Sequence, residues 1–384
     1  MFKTSLAACT AGFAMFAMFF GSGNLVFPLQ VGANTTSNFS YATIGLFITG
    51  IIVPFIGLIS MVVHHKQPRD YFKRLGPTVS LILIFLMLAL MGPFGVGPRC
   101  ILVAYGGMKL VFPDLSLLWF SLSFCALAGL MIWFHETMIT IIGRFLTPIL
   151  LLTIIAVILF GIYYAKTPTT SVETETDAFK TGIFFGYQTM DLLAAFFFSA
   201  SIIRYFSNNI DHAHLLLSKK MLAAIACIIG IILLGLVYTG FVSLGASYSE
   251  IISTVPPEQM LAKIAEKTLG NYALPIMAVL IFIACLTTLV VLMDLFAEFL
   301  EFDLFKQKVP RAISVILTLI ITFFVSLIGF EELARWIASA LFFAYPALIA
   351  FAIASIIEDL YKIKIVKHIF FGVLILIVLT QLKL

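Results

Sequence analysis

Charge is what this chain has least of. Asp, Glu, Lys and Arg make up 11% of its 384 residues, against roughly 25% in ordinary soluble domains. That scarcity excludes an intrinsically disordered chain, and the net charge of +4 points to no polyanionic partner, nucleic acid included. Cysteine is also sparse. The five, Cys9, Cys100, Cys125, Cys227 and Cys285, all lie in apolar runs, with neither a disulfide frame nor metal-ligand spacing. No phosphate-binding GxxxxGK[ST] loop is present, which argues against primary pumping. Met1–Ala17 has one Lys before an apolar stretch but no polar cleavage region, so a removable signal peptide is not expected. What the chain has in excess is apolar surface: 62% hydrophobic residues and a mean hydropathy of +1.13. No globule of this mass could hide so much of it from water. The solvent is lipid.

A helix needs about 20 mostly apolar residues to cross a bilayer core. Eleven runs qualify, at 5–33, 39–63, 79–107, 115–135, 139–164, 182–206, 219–247, 271–300, 311–330, 333–357 and 367–384. They are continuous rather than alternating, which excludes a β-barrel. The first, third and sixth are interrupted by Gly or Pro. Lys and Arg collect in cytoplasmic loops, and with the N-terminus inside they divide unevenly. The inner segments hold fifteen (Lys3; Lys66, Arg69, Lys73, Arg74; Arg144; Arg204, Lys219, Lys220; Lys306, Lys308, Arg311; Lys362, Lys364, Lys367), the outer segments seven, and Arg99 lies within a span. The expected topology is N-in and C-out.

Two interrupted runs resemble each other. Phe19-Phe20-Gly21-Ser22-Gly23-Asn24 in span one is matched by Phe184-Phe185-Gly186-Tyr187-Gln188-Thr189-Met190-Asp191 in span six. Five spans separate them, an odd number, so the two run in opposite senses: the mark of an inverted repeat. Non-helical backbone survives at depth only around an enclosed cavity. There the broken ends present N–H groups suited to a carboxylate and carbonyls suited to a cation. Two such breaks would hold a zwitterion and a metal ion. The plainer alternative is that Gly21, Gly23 and Gly186 only permit close helix packing; the polar residues beside both breaks, Asn24 and Asp191, favour the site.

Phe16 through Pro28 resembles the first-helix signature of bacterial branched-chain amino acid:cation symporters. Gly186-Tyr187-Gln188-Thr189-Met190-Asp191 is similar to that family's sixth-helix motif, Gly92-Pro93 with Pro98-Arg99 to its third, and Leu286-Thr287-Thr288 to its eighth. The resemblance implies an all-α integral membrane protein of the LeuT-like fold, five plus five inverted helices with helices one and six broken. The expected division is 1–164, 182–357 and an extra C-terminal helix in 358–384. It also implies sodium-coupled uptake of Leu, Ile and Val across a bacterial plasma membrane, with no enzymatic activity and no cofactor beyond the coupling ion. The family pattern has twelve spans; eleven are found here.

The resemblance assigns residues as well. Thr287 and Thr288, with the Ala284 carbonyl, hold sodium, an oxygen-only set suited to a hard cation; the alternative is that both hydroxyls bond back to their own helix. Asn24 resembles the ligand of a second sodium touching the substrate. The substrate carboxylate is expected at the N–H groups of Ser22, Gly23 and Asn24 beside Gly21. Its ammonium is expected near Gly186 and Thr189, with Phe20 and Tyr187 walling the side chain. Arg99 and Asp191 lie at matching depths, about 12–14 Å below the outer surface, and an ion pair between them is expected, against the alternative that each is satisfied separately. Asp294 and Glu298 continue the Thr287 face towards the inner side. Proton coupling through Asp191 or Asp294, with other apolar amino acids as substrate, is the rival within transporters. A membrane-embedded enzyme or a channel is the rival outside them. The outer segment 248–270 is amphipathic, either a cap over the vestibule or a solvated loop.

Overall fold

A computed structural model describes residues 2–64, 68–133, 137–199 and 216–381. Lys66, Arg204, Lys383 and the last part of span six, 200–206, lie outside them. Among the described residues every regular element is helical, as continuous apolar runs in lipid require. The first span is two helices, α1 (Phe2–Phe19) and α2 (Ser22–Thr35). The second comprises α3 (Phe39–Phe47) and α4 (Val53–His64), joined by a π turn at Ile48–Ile52. After the short α5 (Pro68–Phe72), the third span divides into α6 (Pro77–Met91) and α7 (Val96–Val111). Then follow α8 (Leu117–Trp133) and α9 (Thr137–Tyr163).

The sixth span consists of α10 (Glu175–Gln188) and α11 (191–199). Beyond it lie α12 (Leu216–Ser247), the short α13 (Ser249–Ile252), α14 (Met260–Leu269), α15 (Ala273–Phe299), α16 (Arg311–Ser326), α17 (Phe330–Tyr361) and α18 (Val366–Gln381). The first, third and sixth spans are all interrupted, the first and third at the expected glycines and the sixth at Thr189–Met190. Helix boundaries follow local chemistry too: Gly76 and Gly329 precede α6 and α17 with φ of +102° and +94°, angles that side chains other than glycine rarely tolerate.

Packing is organised as pairs related by a shift of five spans. The first span lies along α12 as α10 lies along α3; α8 packs on α15 as α16 packs on α7; α9 meets α12 as α17 meets α4. The pair formed by α7 and α15 lies at the centre, related to itself. Two of these contacts bring backbone against backbone. A Cβ on Gly32 would lie 2.0 Å from the Val242 carbonyl oxygen, and one on Gly182 would lie 2.0 Å from that of Ala42. Small residues at such crossings are how membrane helices gain packing energy when lipid supplies no hydrophobic drive.

The two ends of the bundle differ. At the end carrying the basic segments, Arg69 pairs with Asp303 (2.5 Å), Arg74 lies near Glu358 and Asp359 (3.8 and 3.5 Å), and Arg311 pairs with Asp294 (2.5 Å). Glu358 also accepts the N–H groups of Ile365 and Val366 at the start of α18. At the opposite end, Asn38 donates to the Glu173 carbonyl (2.7 Å), and Ser37 exchanges bonds with Thr169 and Ser171. There the segment 248–270 is a docked cap rather than a solvated loop: α14 buries Met260, Leu261, Ala262, Ile264 and Ala265 against α9 and α15.

Candidate functional site

The break between α1 and α2 follows from the end of one helix and the cap of the next. The Phe20 N–H makes the last bond of α1, to Phe16 (2.9 Å); the Gly21 N–H turns instead to the Asn24 side-chain oxygen (3.4 Å). Downstream, Pro28 lies inside α2 and has no N–H to give the Asn24 carbonyl. Ser22, Gly23 and Asn24 are buried there; the Asn24 N–H, expected to meet the substrate carboxylate, bonds the Gly21 carbonyl instead (3.2 Å), while those of Ser22 and Gly23 have no partner within α2.

The break between α10 and α11 comes one turn later than the repeat alignment places it. Gly186 remains helical and serves packing: a Cβ there would lie 2.0 Å from the Thr49 hydroxyl and 2.9 Å from the Gly50 nitrogen. The interruption falls at Thr189 and Met190, and Met190 takes φ +64°. The Thr189 hydroxyl donates back to the Gly186 carbonyl (2.9 Å), so that carbonyl is already engaged.

The two breaks touch. The Asn24 amide donates to Asp191 (2.9 Å) and to the Tyr238 hydroxyl (2.5 Å), and that hydroxyl donates to the same Asp191 oxygen (2.9 Å). All three residues are at most 3% exposed. A Cβ on Gly23 would lie 3.4 Å from the Thr189 Cα. Gly23, Asn24, Thr189 and Asp191 therefore converge on one buried locus, with Ser22 beside Cys100 and the half-buried Gly21 next to it in the chain. Tyr238, on α12, was not singled out by the sequence; a phenol in a mostly apolar run was the available signal.

The expected ion pair between Arg99 and Asp191 is not made. Arg99 instead donates to the Gln188 carbonyl (2.8 Å) and to the Met190 sulfur (2.5 Å), with its guanidinium 5.1 Å from the centre of the Phe27 ring. Asp191 takes its two neutral donors. The depths matched, but depth along a helix does not fix the direction a side chain takes around it. Separate satisfaction, the alternative, is what the fold adopts.

On α15, Thr287 and Thr288 are half-buried. Their hydroxyls donate to the Ala284 carbonyl at 2.9 Å each, and Thr287 also reaches Ile283 (3.1 Å). Back-bonding of this kind occupies the hydroxyl protons and leaves the oxygen lone pairs open. Gly21 lies next to this helix, since a Cβ on it would meet the Thr288 methyl at 3.8 Å. Lower on the same face, Asp294 is tied to Arg311 and Glu298 is exposed. The rings expected to wall a side chain sit on different helices. Phe20 stacks on Phe16 (5.1 Å) and approaches Phe241 of α12 (6.5 Å), whereas Tyr187 packs on Tyr345 of α17 (5.0 Å).

Comparison with known proteins agrees with this architecture. Residues 5–383 match the family model described as branched-chain amino acid transport protein. The branched-chain amino acid permease BrnQ of Bacillus subtilis is 29% identical over 366 residues, covering 92% of this chain and 81% of the relative. BrnQ of Escherichia coli K12 is 28% identical, covering 90% and 79%. Among solved structures, Mhp1, a nucleobase-cation-symport-1 family transporter in a closed conformation with bromovinylhydantoin, aligns with a TM-score of 0.61 at 15% identity over 96% of this chain and 91% of that one. MhsT in complex with L-phenylalanine gives 0.60 at 15% identity over 97% of both. These neighbours establish the LeuT-like fold. The chain is a multi-pass membrane transporter, not an enzyme, and it belongs to the branched-chain amino acid transport protein family.

Proposed function

We propose that this transporter imports leucine, isoleucine and valine by alternating access, coupled to a cation, with 1–164 and 182–357 as its two inverted repeats and its N-terminus cytoplasmic. The observation that carries the reading is the junction of the two helix breaks through Asn24, Tyr238 and Asp191. A zwitterion suits such a junction: its carboxylate at the N–H groups of Ser22 and Gly23, its ammonium towards the end of α10 and Asp191. Phe20 and Tyr187 supply apolar surface on the flanking walls.

Sodium is the proposed coupling ion, held by the Thr287 and Thr288 oxygens with backbone oxygens from the end of α1; the Ala284 carbonyl, which accepts both hydroxyls here, joins the set when they turn away from it. Thr288 beside Gly21 supports this placement. A second reading, coupling through a proton on Asp191, has its own support: the carboxylate is buried at 3% exposure with neutral donors only, and a charge in that setting calls for a compensating cation. Uptake of radiolabelled leucine into proteoliposomes under imposed sodium or proton gradients separates the two. Sodium-driven uptake that becomes several-fold less sensitive to sodium in Thr288→Ala is the expected result. Uptake driven by pH alone, or a Thr288→Ala variant with unaltered sodium dependence, would refute the sodium site.

A further inference from the structure

The buried guanidinium of Arg99 has more to donate than its neighbours accept. It is 1% exposed and carries five N–H donors with a permanent positive charge. One nitrogen bonds the Gln188 carbonyl, another only the thioether of Met190, and Nε has no partner. No ion pair within 4.0 Å involves Arg99 among the described residues, and its aromatic neighbour Phe27 is a weak substitute for an anion. Asp191 acts on it across space without forming a pair, so the open donors of the guanidinium still call for an anion in contact.

Two other buried atoms nearby share the deficit. The Gln188 Oε1 acceptor has no hydrogen-bond partner; the Tyr345 oxygen faces the Leu192 N–H, but its own O–H donates to nothing, and the two residues are 4% and 0% exposed. Gln188 is the residue whose carbonyl Arg99 already holds. Tyr345 lies within electrostatic reach of both Arg99 and Asp191 and packs on Tyr187 at the end of α10. Native interiors rarely leave three polar side chains unmet in one place. The chemistry left open is two donors, one of them charged, beside one acceptor.

We propose that Arg99 Nε, assisted by the Tyr345 hydroxyl, is the charged seat of the substrate's carboxylate, with Gln188 Oε1 facing its ammonium. The inference rests on the amino-acid reading above and deepens it. Cys100, the next residue, donates to the Ser22 hydroxyl (3.5 Å), and the Arg99 guanidinium lies over the Phe27 ring of α2, so this turn of α7 adjoins the first turns of α2. Backbone dipoles there orient a carboxylate; Arg99 supplies the full charge that partial dipoles lack.

The test compares leucine with leucinol, which has the same side chain and amine but no carboxylate, by calorimetric titration of the purified full-length protein. The unaltered protein should prefer leucine, and Arg99→Gln should weaken leucine by about tenfold or more, the scale of a lost charge-assisted contact, while leucinol changes less than twofold. Arg99→Lys should keep part of the preference, and Tyr345→Phe should narrow it a few-fold; these two decide the matter should Arg99→Gln not fold. A leucine preference that survives all three substitutions would overturn the proposal. So would equal affinities in the unaltered protein, which leaves the substrate reading standing. Failure of the unaltered protein to bind either ligand would overturn both. Titrations in chloride and in gluconate complete the set: chloride-dependent stability that Arg99→Gln abolishes, with the leucine preference intact, would give the seat to a free halide and overturn the carboxylate.

Discussion

Arg99 and Asp191 show what a residue's position in a sequence carries and what it does not. Both are conspicuous as charges in apolar runs, and both are buried at the centre of the bundle. Their partners were not legible. Which way a side chain points depends on the rotation of each helix about its axis, and that is set by packing with neighbours far away in the chain, here α12 bringing Tyr238 to Asp191. Gly186 makes the same point in reverse, since its small size serves contact with Thr49 rather than a break. At this scale the backbone crossings make a stability prediction. Gly182→Ala places a methyl 2.0 Å from the Ala42 oxygen, an overlap that only backbone displacement relieves. The variant should lose about 1–3 kcal/mol or more, read as a lower thermal unfolding midpoint of the purified protein. An unchanged midpoint would show that α3 and α10 separate freely.

Among the elements, the cap at 248–270 titrates. Glu258, in the turn before α14, lies against Gly106 of α7, where a Cβ would come 2.5 Å from its Cγ. Its Oε2 is buried without a partner, and the cap's Lys263 is taken by Glu266 (2.7 Å). Burial, with Glu331 adding to it, raises the Glu258 carboxyl from 4.5 to about 7. The docked cap therefore favours the protonated acid. The stabilisation is complete below the ordinary carboxyl value of 4.5 and is lost as pH rises through about 7. Hydrogen exchange across 257–269, corrected for intrinsic rates, should accelerate between about pH 5 and 8 as that carboxyl ionises. Glu258→Gln should remove the acceleration; its persistence in that variant would place the titration elsewhere. The amphipathic spacing of 260–269 announced a helix with one apolar face. Whether that face docked depended on α9 and α15 offering a complementary surface.

For the whole molecule, the excess of Lys and Arg on alternate segments makes a prediction about sidedness. The segments that join at Arg69, Arg74, Asp303 and Glu358 form one end, and those that join at Ser37, Asn38 and Ser171 form the other. All five cysteines are free, and four are buried, so a cysteine-free background is a modest change. In intact cells a membrane-impermeant maleimide should label Ser171→Cys and spare Lys308→Cys; the opposite pattern would invert the assigned topology.

By itself the sequence determined that this chain lives in lipid, that it is helical, that three spans break, and that two broken spans five apart run in opposite senses. Those properties follow from local composition and periodicity, because hydrocarbon demands continuous apolar helices and penalises every exception. Only the tertiary structure decided that Asp191 takes Asn24 and Tyr238 while Arg99 takes the end of α10, and that the sixth span breaks at Met190 instead of Gly186. These outcomes rest on helix rotations and crossings between segments more than a hundred residues apart, which no local pattern encodes.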